Sequence, residues 1–356
     1  IGLIGLHNYA NTCYMNSIIQ CLNATAPLRN LMRSGKYVKY LNRKNIMGSN
    51  GVIAVEFANL LNMMWKPDES FITPNTFRSA VRKHTEDRFA GDDQQDAQEF
   101  LTYLLNTLHE DLNTSEFCKS GVSQMDLTDE MTMKLEQKAV AVRSKYEFNR
   151  SLYRDKSKIA DIFSGQQSSK LKCSVCGFTS TTYNLFDLLS VPIPDSSHKG
   201  AVPLQKCLEE YFKAETLSGN DAWECRKCKV KRTSTKKLIL TRLPNVLTIH
   251  LKRFKGNGIL NEKLRTFVDF PITGLDMSQF IHPGVAGTDE NKVSKYNLFA
   301  VSNHYGNLDG GHYYSFVKAP LSEQWFVLED RNVKTLATQD ICIDQAYVLF
   351  YVRDQL

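Results

Sequence analysis

Apolar residues fall at helical spacing in the first third of the chain and in short β-branched and aromatic runs in its second half. Between residues 13 and 33, Ile18, Ile19 and Leu22 supply one apolar face, and no Gly or Pro intervenes before Pro27. With Thr12 placed to cap it, this pattern predicts a helix opening at Cys13. A second helix is predicted after Asp92 and Asp93, because Ala97, Phe100, Leu101, Leu104, Leu105, Leu108 and Leu112 recur at three- and four-residue steps. Gln94, Gln95, Asp96, Gln98 and Glu99 crowd its first turn. From residue 160 onward, KKLILTRL (236–243), NVLTIHLKRF (245–254), YNLFAVSNHY (296–305), HYYSFVKA (312–319) and AYVLFYV (346–352) read as strands of a mainly antiparallel region. Residues 114 to 158 are polar and charged with weak helical periodicity, and are expected to form exposed helices or a mobile insertion.

At 356 residues and 42% hydrophobic content, the chain exceeds the usual span of one core, which predicts a large multi-lobed domain or two closely packed ones. It has no run of about 18 apolar residues, and the opening IGLIGLHNYANT lacks the basic flank and apolar length of a signal peptide. A soluble, intracellular protein without membrane insertion is therefore expected. The net charge of +6 mildly favours acidic partners and implies no nucleic-acid surface. Nine cysteines, an odd number spread unevenly, fit a reduced compartment better than a disulfide framework.

Four of those cysteines form two C-x-x-C knuckles, Cys173 with Cys176 and Cys225 with Cys228. Two such knuckles suffice for a tetrahedral structural zinc site, with two hairpins needed to bring the pairs together. The adjoining RKCKVKRTSTKK is basic but lacks interleaved aromatics for base stacking, so nucleic acid is not the expected partner.

Cys13 opens a predicted helix, where unpaired backbone N–H groups favour a thiolate and are expected to lower its pKa. Taken alone, a free Cys is more often a small buried hydrophobe. A thiolate mechanism also needs a base that is remote in sequence and near in space. Of the eight histidines, His312 is the candidate, since it follows Gly310 and Gly311 at the start of a strand. The others, His304 and His250 included, read as surface or satisfied structural residues.

GLHNYANTCYMNSIIQCL, GDDQQDAQEFLTYLL and NHYGNLDGGHYYSF together resemble the Cys-, Gln- and His-boxes of the ubiquitin-specific proteases, and the likeness runs from Gly5 to about Val352. The resemblance implies an α+β, papain-like cysteine protease fold in one catalytic domain. Its parts would be a helical thumb over 1–112, a charged insertion over 113–159, zinc-stapled fingers within 160–245, and a palm over 246–356. It implies that Cys13 is the nucleophile, His312 the general base and Asn8 an oxyanion donor. Asp96 and Glu99 would meet the arginine-bearing tail of ubiquitin or position mobile loops, Gln94 would also serve substrate binding, Tyr313 would pack near the terminal glycines, and Gly310 and Gly311 would keep that approach open. For Asp96 and Glu99 the bland alternative is helix-dipole complementarity.

One position departs from the family pattern. Where Asp or Asn is usual, Trp325-Phe326-Val327-Leu328-Glu329-Asp330 carries Glu329. Either Glu329 bonds the His312 ring or, as we prefer, Asp330 supplies the carboxylate. The reaction implied is hydrolysis at the C-terminal glycine of ubiquitin through a thioester, on ubiquitin and ubiquitinated proteins, with zinc structural. The rival readings are a catalytically weak ubiquitin-binding module, suggested by Glu329, and a zinc-based nucleic-acid binder. A monomer is expected, excised from a longer protein, and cytoplasmic. The Gln- and His-box segments look most like the endosomal-cargo branch of the family, with any endosomal association coming from regions outside this chain.

Overall fold

The computed structural model describes residues 2–66, 69–89, 93–115, 117–118, 128–194, 200–256, 261–307, 310–320 and 322–354. The expected helix 13–33 is two helices, α1 (Cys13–Ala24) and α2 (Ala26–Arg33), with Thr25 extended between them at ψ 94°. Pro27 is the cause, because it lacks an N–H and its ring would clash with the carbonyl four residues back. Thr12 holds the N-cap position of α1 but does not cap with its side chain. Its hydroxyl instead accepts the Tyr9 N–H at 2.9 Å and donates to Asn8 Oδ1 at 3.2 Å.

α1 is buried on nearly every face, and its polar residues have a common use. Asn16, Gln20 and Asn23 donate to the carbonyls of Leu6, Ile4 and Gly2 at 3.3, 2.7 and 2.9 Å. Two residues of extended chain rise about 6.6 Å, against about 6.0 Å for the four helical residues from Asn16 to Gln20 and about 4.5 Å for the three from Gln20 to Asn23, so the helix keeps presenting an amide to every second carbonyl. The N-terminal segment is thereby laid along the helix that begins at Cys13.

Three further helices complete the helical part, α3 (Val52–Met64), α4 (Asn75–His84) and α5 (Ala97–Asp111). α5 starts later than its sequence suggests, since the Asp96 carboxylate accepts the N–H groups of Gln98 and Glu99 and so fixes the N-cap. Gln94 and Gln95 thus precede the helix, and Asp92 lies outside the described residues. In the charged stretch that follows, α6 (Asp129–Glu136), α7 (Val140–Ser151) and α8 (Lys158–Phe163) form. Residues 116 and 119–127 of that stretch lie outside the described residues. A later helix, α9 (Leu204–Tyr211), lies among the strands of the second half.

Those strands form two main sheets. In chain order they are β1 (Gly165–Cys173), β2 (Thr179–Phe186), β3 (Leu189–Pro192), β4 (Glu215–Leu217), β5 (Ser234–Arg242) and β6 (Val246–Lys252). After them come β7 (Leu275–Asp276), β8 (Lys295–Gly306), β9 (Gly311–Lys318), β10 (Trp325–Glu329), β11 (Asn332–Leu336) and β12 (Ala346–Arg353). The smaller sheet runs β2-β1-β5-β4, and the larger runs β11-β10-β9-β8-β12-β6-β3 with β7 on β8. All these pairs are antiparallel except β6 with β3.

The larger sheet is buried on both faces, which is why its strands read as near-continuous apolar runs. On one face Val246, Ala300, Val317 and Phe350 pack with Ile18, Phe57 and Leu104 of the helices. On the other, Leu247, Ile249, Leu349 and Tyr351 enclose a second core with Leu204 and Leu208 of α9. Helices and sheet therefore share a core, and α1 crosses β9 at that seam. No described helix is long and apolar enough to cross a membrane.

Candidate active site

Cys13 begins α1 at the point where that helix meets β9. Ser17, one turn on, stitches the contact, with its hydroxyl 2.7 Å from the Ser302 hydroxyl of β8 and 3.2 Å from the Tyr314 carbonyl of β9. The Cys13 thiol is buried, and burial raises its pKa above 9.0. The Tyr313 backbone N–H and those of Tyr14 and Cys13 itself oppose the rise, while the Asp330 charge adds to it. The expectation that the helix terminus would lower this pKa is thus corrected. Desolvation of the thiolate outweighs the N-terminal amides.

His312 stands second in β9, in register with Tyr305. Its Nε2 lies 3.5 Å from Glu329 Oε1 and 3.6 Å from Asp330 Oδ2. Distance does not separate the two carboxylates; their supports do. Asp330 accepts Asn8 Nδ2 on Oδ2 at 3.0 Å and Asn16 Nδ2 on Oδ1 at 2.9 Å, whereas the Glu329 side chain is 40% exposed. Glu329 pairs with Asn332 across a two-residue turn, so Asp330 occupies the bend at φ +48°, a conformation that Asp tolerates. The Asp330 carbonyl accepts the Leu6 N–H at 2.7 Å. Gly5 packs so close to this turn that a Cβ there would lie 2.4 Å from the Arg331 carbonyl oxygen.

Asn8 joins the same network. Its Oδ1 accepts the Thr12 N–H at 2.9 Å, and Asp330 takes one of its two amide protons. The other makes no hydrogen bond among the described residues.

Gln94 faces the start of β9, and its side-chain amide forms a two-way clamp with the Gly311 backbone. Gly311 N–H donates to Oε1 at 3.1 Å, and Nε2 donates to the Gly311 carbonyl at 3.3 Å. Asp96 is a partly enclosed N-cap whose Oδ2 also accepts the Tyr347 hydroxyl. Burial raises its pKa, against the pull of that hydroxyl and the two amides. Glu99 is exposed at the helix start and pairs with Arg88 at 2.8 Å. Tyr313 is buried, its ring 4.4 Å from that of His304. Gly310 has open space where a side chain would stand, and Leu308 and Asp309 before it lie outside the described residues.

Three supports were not singled out by sequence reasoning. Asn16 is one, although a polar residue in a buried apolar helix, three after Cys13, is a visible signal. His304 is another. Burial, then Lys263 and His312, lower its pKa to about 4, so it is neutral, and its Nδ1 lies 2.7 Å from Lys263 Nζ. Its Nε2 lies 2.2 Å from where a Gly311 Cβ would stand, which explains the glycine. Lys263, the third, also donates to the His304 and Gly306 carbonyls at 2.7 and 3.3 Å, bracing the end of β8.

A family model described as "Ubiquitin carboxyl-terminal hydrolase" matches residues 4–351. The chain belongs to the ubiquitin carboxyl-terminal hydrolase family. It is 38% identical over 369 residues to ubiquitin carboxyl-terminal hydrolase 4 of Saccharomyces cerevisiae (strain YJM789), covering 98% of this chain and 39% of that protein. It is 36% identical to ubiquitin carboxyl-terminal hydrolase 2 of Homo sapiens, covering 98% of this chain and 55% of that protein. The chain thus spans between two-fifths and just over half of these relatives. Among solved structures it resembles the SAGA DUB module Ubp8/Sgf11/Sus1/Sgf73 bound to monoubiquitin. That likeness has a TM-score of 0.74 and 25% identity, and covers 100% of this chain and 70% of that one. The α+β architecture of the hydrolase family is therefore the fold of this chain.

Away from the cleft, the two knuckles converge as the family resemblance requires. The sulfurs of Cys173, Cys176, Cys225 and Cys228 all lie within 4.8 Å of one another, with Cys176 and Cys225 at 3.5 Å. Each knuckle closes by a backbone bond, Gly177 N–H to the Cys173 carbonyl at 3.1 Å and Lys229 N–H to that of Cys225 at 2.7 Å. A tetrahedral ion with bonds of about 2.3 Å spaces its sulfurs about 3.8 Å apart, so the cluster fits a metal held by four thiolates.

Proposed function

We propose that this chain is a deubiquitinating cysteine protease that hydrolyses the isopeptide or peptide bond at the C-terminal glycine of ubiquitin. The observation that carries the reading is the convergence of Cys13, His312 and an amide-anchored Asp330 at the seam of α1, β9 and the β10–β11 turn. Because His312 Nε2 faces the carboxylates, Nδ1 is the nitrogen left to take the Cys13 proton. The resting thiol is neutral, so proton removal by His312 accompanies attack rather than preceding it. The Cys13 sulfur adds to the glycine carbonyl, and the oxyanion meets the free Asn8 amide proton and the first N–H groups of α1. Collapse expels the lysine amine, which takes the proton from His312, and water then cleaves the thioester.

Asp330 holds the imidazole in orientation and stabilises its charged form, as the third member of a triad does. Glu329 adds an exposed charge of smaller weight. The tail of ubiquitin would pass between the start of α5 and β9, where Gly310 leaves room whereas the space beside Gly311 is taken by His304, with Glu99 at hand for its arginine. Gln94 and Asp96 shape that channel through the Gly311 clamp and the helix cap. The four-cysteine cluster would hold zinc, which supplies structural cross-linking of the two knuckles and no chemistry at the cleft. Ubiquitin bearing a C-terminal vinyl sulfone tests the reading. A covalent adduct mapped to Cys13 by mass spectrometry is expected, and an adduct elsewhere or none would contradict it.

A further inference from the structure

A cavity of about 310 Å³ opens between α7, the β1–β2–β5 face of the smaller sheet and the segment around His282. Its charged lining is Lys138, Arg143, Lys170, Lys237 and His282 against a single acid, Glu136. Lys170 and Lys237 stand directly opposite each other on β1 and β5, a cross-strand placement that costs stability for like charges. Neither they nor Lys138 makes an ion pair within 4.0 Å among the described residues, whereas Lys134 of α6, Lys158 of α8 and Lys206 of α9 each pair with an acid on their own helix. α7 points its N-terminus at the same place with no side-chain cap and no acid in its first turn. Lys138 and Arg143 there oppose the positive end of the helix dipole.

The centre of the cavity is built rather than incidental. Arg143 is only 6% exposed, its guanidinium lies 5.2 Å over the Tyr183 ring, and one nitrogen donates to the Thr181 carbonyl. Glu136 approaches it at 3.8 Å, and its Nε has no hydrogen-bond partner. His282 accepts the Gly284 N–H on Nδ1 at 3.1 Å, which leaves its Nε2 as the outward nitrogen. A buried, oriented guanidinium beside three ammonium groups that make no ion pair among the described residues is an arrangement that recognises phosphate, the planar fork giving direction and the lysines giving charge.

We propose that this cavity binds a compact anion carrying several phosphates, of the inositol phosphate class, free or as a lipid headgroup. The excess of at least three positive charges calls for more than one phosphate, and a pit of this volume suits a compact ligand better than an extended acidic chain. The site is separate from the Cys13 cleft and does not depend on the protease reading.

The test is calorimetric titration of the zinc-loaded chain with inositol trisphosphate, paired with co-sedimentation on phosphatidylcholine vesicles with and without phosphatidylinositol bisphosphate. Saturable binding is expected, weakening with added salt. It should fall by about tenfold or more in Lys170→Glu/Lys237→Glu, whose exposed positions leave the fold intact, and in Arg143→Lys, which keeps the charge but loses the fork. Capture by the phosphoinositide vesicles would assign the headgroup source, and binding of the soluble ligand alone the free one. Absence of saturable binding, equal binding by the double variant, or binding of a glutamate-rich peptide in place of the phosphates would overturn the proposal.

Discussion

Replacing Glu329 and Asp330 separately with alanine asks which carboxylate serves His312. Both lie at nearly the same distance from Nε2, 3.5 and 3.6 Å, so the expected difference comes from their surroundings. The Glu329 side chain is 40% exposed, and an exposed pair of this kind contributes about 0–1 kcal/mol, which is at most about a fivefold loss of kcat/KM. Asp330 is 19% exposed and fixed by Asn8 at 3.0 Å and Asn16 at 2.9 Å. Breaking a buried pair costs about 3–5 kcal/mol; discounting for partial exposure leaves about 2–4, or a loss of about 30- to 1000-fold. Asp330→Ala also places alanine at φ +48°, a strain of about 1 kcal/mol that would lower stability. Asp330→Asn separates the two effects, since Asn tolerates this backbone but turns an NH₂ toward one of two donor amides. The assay is fluorophore release from the ubiquitin C-terminus, read as kcat/KM beside the melting temperature of each variant. A larger loss in Glu329→Ala than in either Asp330 variant would refute the assignment.

Alkylation of Cys13 by iodoacetamide in the free protein should be slow at neutral pH and rise with pH through 9, since burial raises the thiol pKa and its thiolate appears only on the alkaline side. A rate already at its plateau near pH 6 would contradict this. Gly5→Ala should reduce turnover sharply while Cys13 stays in place, because the new Cβ would meet the Arg331 backbone at 2.4 Å and displace the Asp330 turn; an unchanged rate would contradict the packing argument. Gln94→Ala removes both bonds to Gly311 and should lower kcat/KM by about tenfold, as two hydrogen bonds of about 0.5–1.5 kcal/mol each would. Cys228→Ser, or removal of metal by a strong chelator, should lower the melting temperature and the bound zinc together, which elemental analysis and calorimetry would check.

Much of this site is legible in the amino-acid sequence, for identifiable reasons. Cys13 and His312 stand out through the family-like boxes around them and the two cysteine knuckles through their spacing, and apolar runs of the larger sheet survive as strands because both faces are buried. What spacing does not carry is tertiary. Asn16 and Gln20 read as interruptions of an amphipathic helix, and only the docked Gly2–Leu6 segment shows that they are its ladder. Asp96 is expected from the family resemblance to serve substrate, with helix-dipole complementarity as the bland alternative, and only the folded chain shows that its carboxylate accepts the Gln98 and Glu99 amides and the Tyr347 hydroxyl. The Cys13 pKa went against expectation because a helix terminus is a local feature, whereas burial beneath β9 is a property of the whole fold. Asp330 gains its anchoring from asparagines 322 and 314 residues away, which no local pattern discloses.

The most direct test of the central claim is turnover of fluorophore-tagged ubiquitin by the chain and by its Cys13→Ala and His312→Ala variants. Release by the unaltered chain, with loss of activity in both variants and ubiquitin binding retained in each, is the result predicted. Ubiquitin binding without release by the unaltered chain, or release that persists without Cys13, would contradict it.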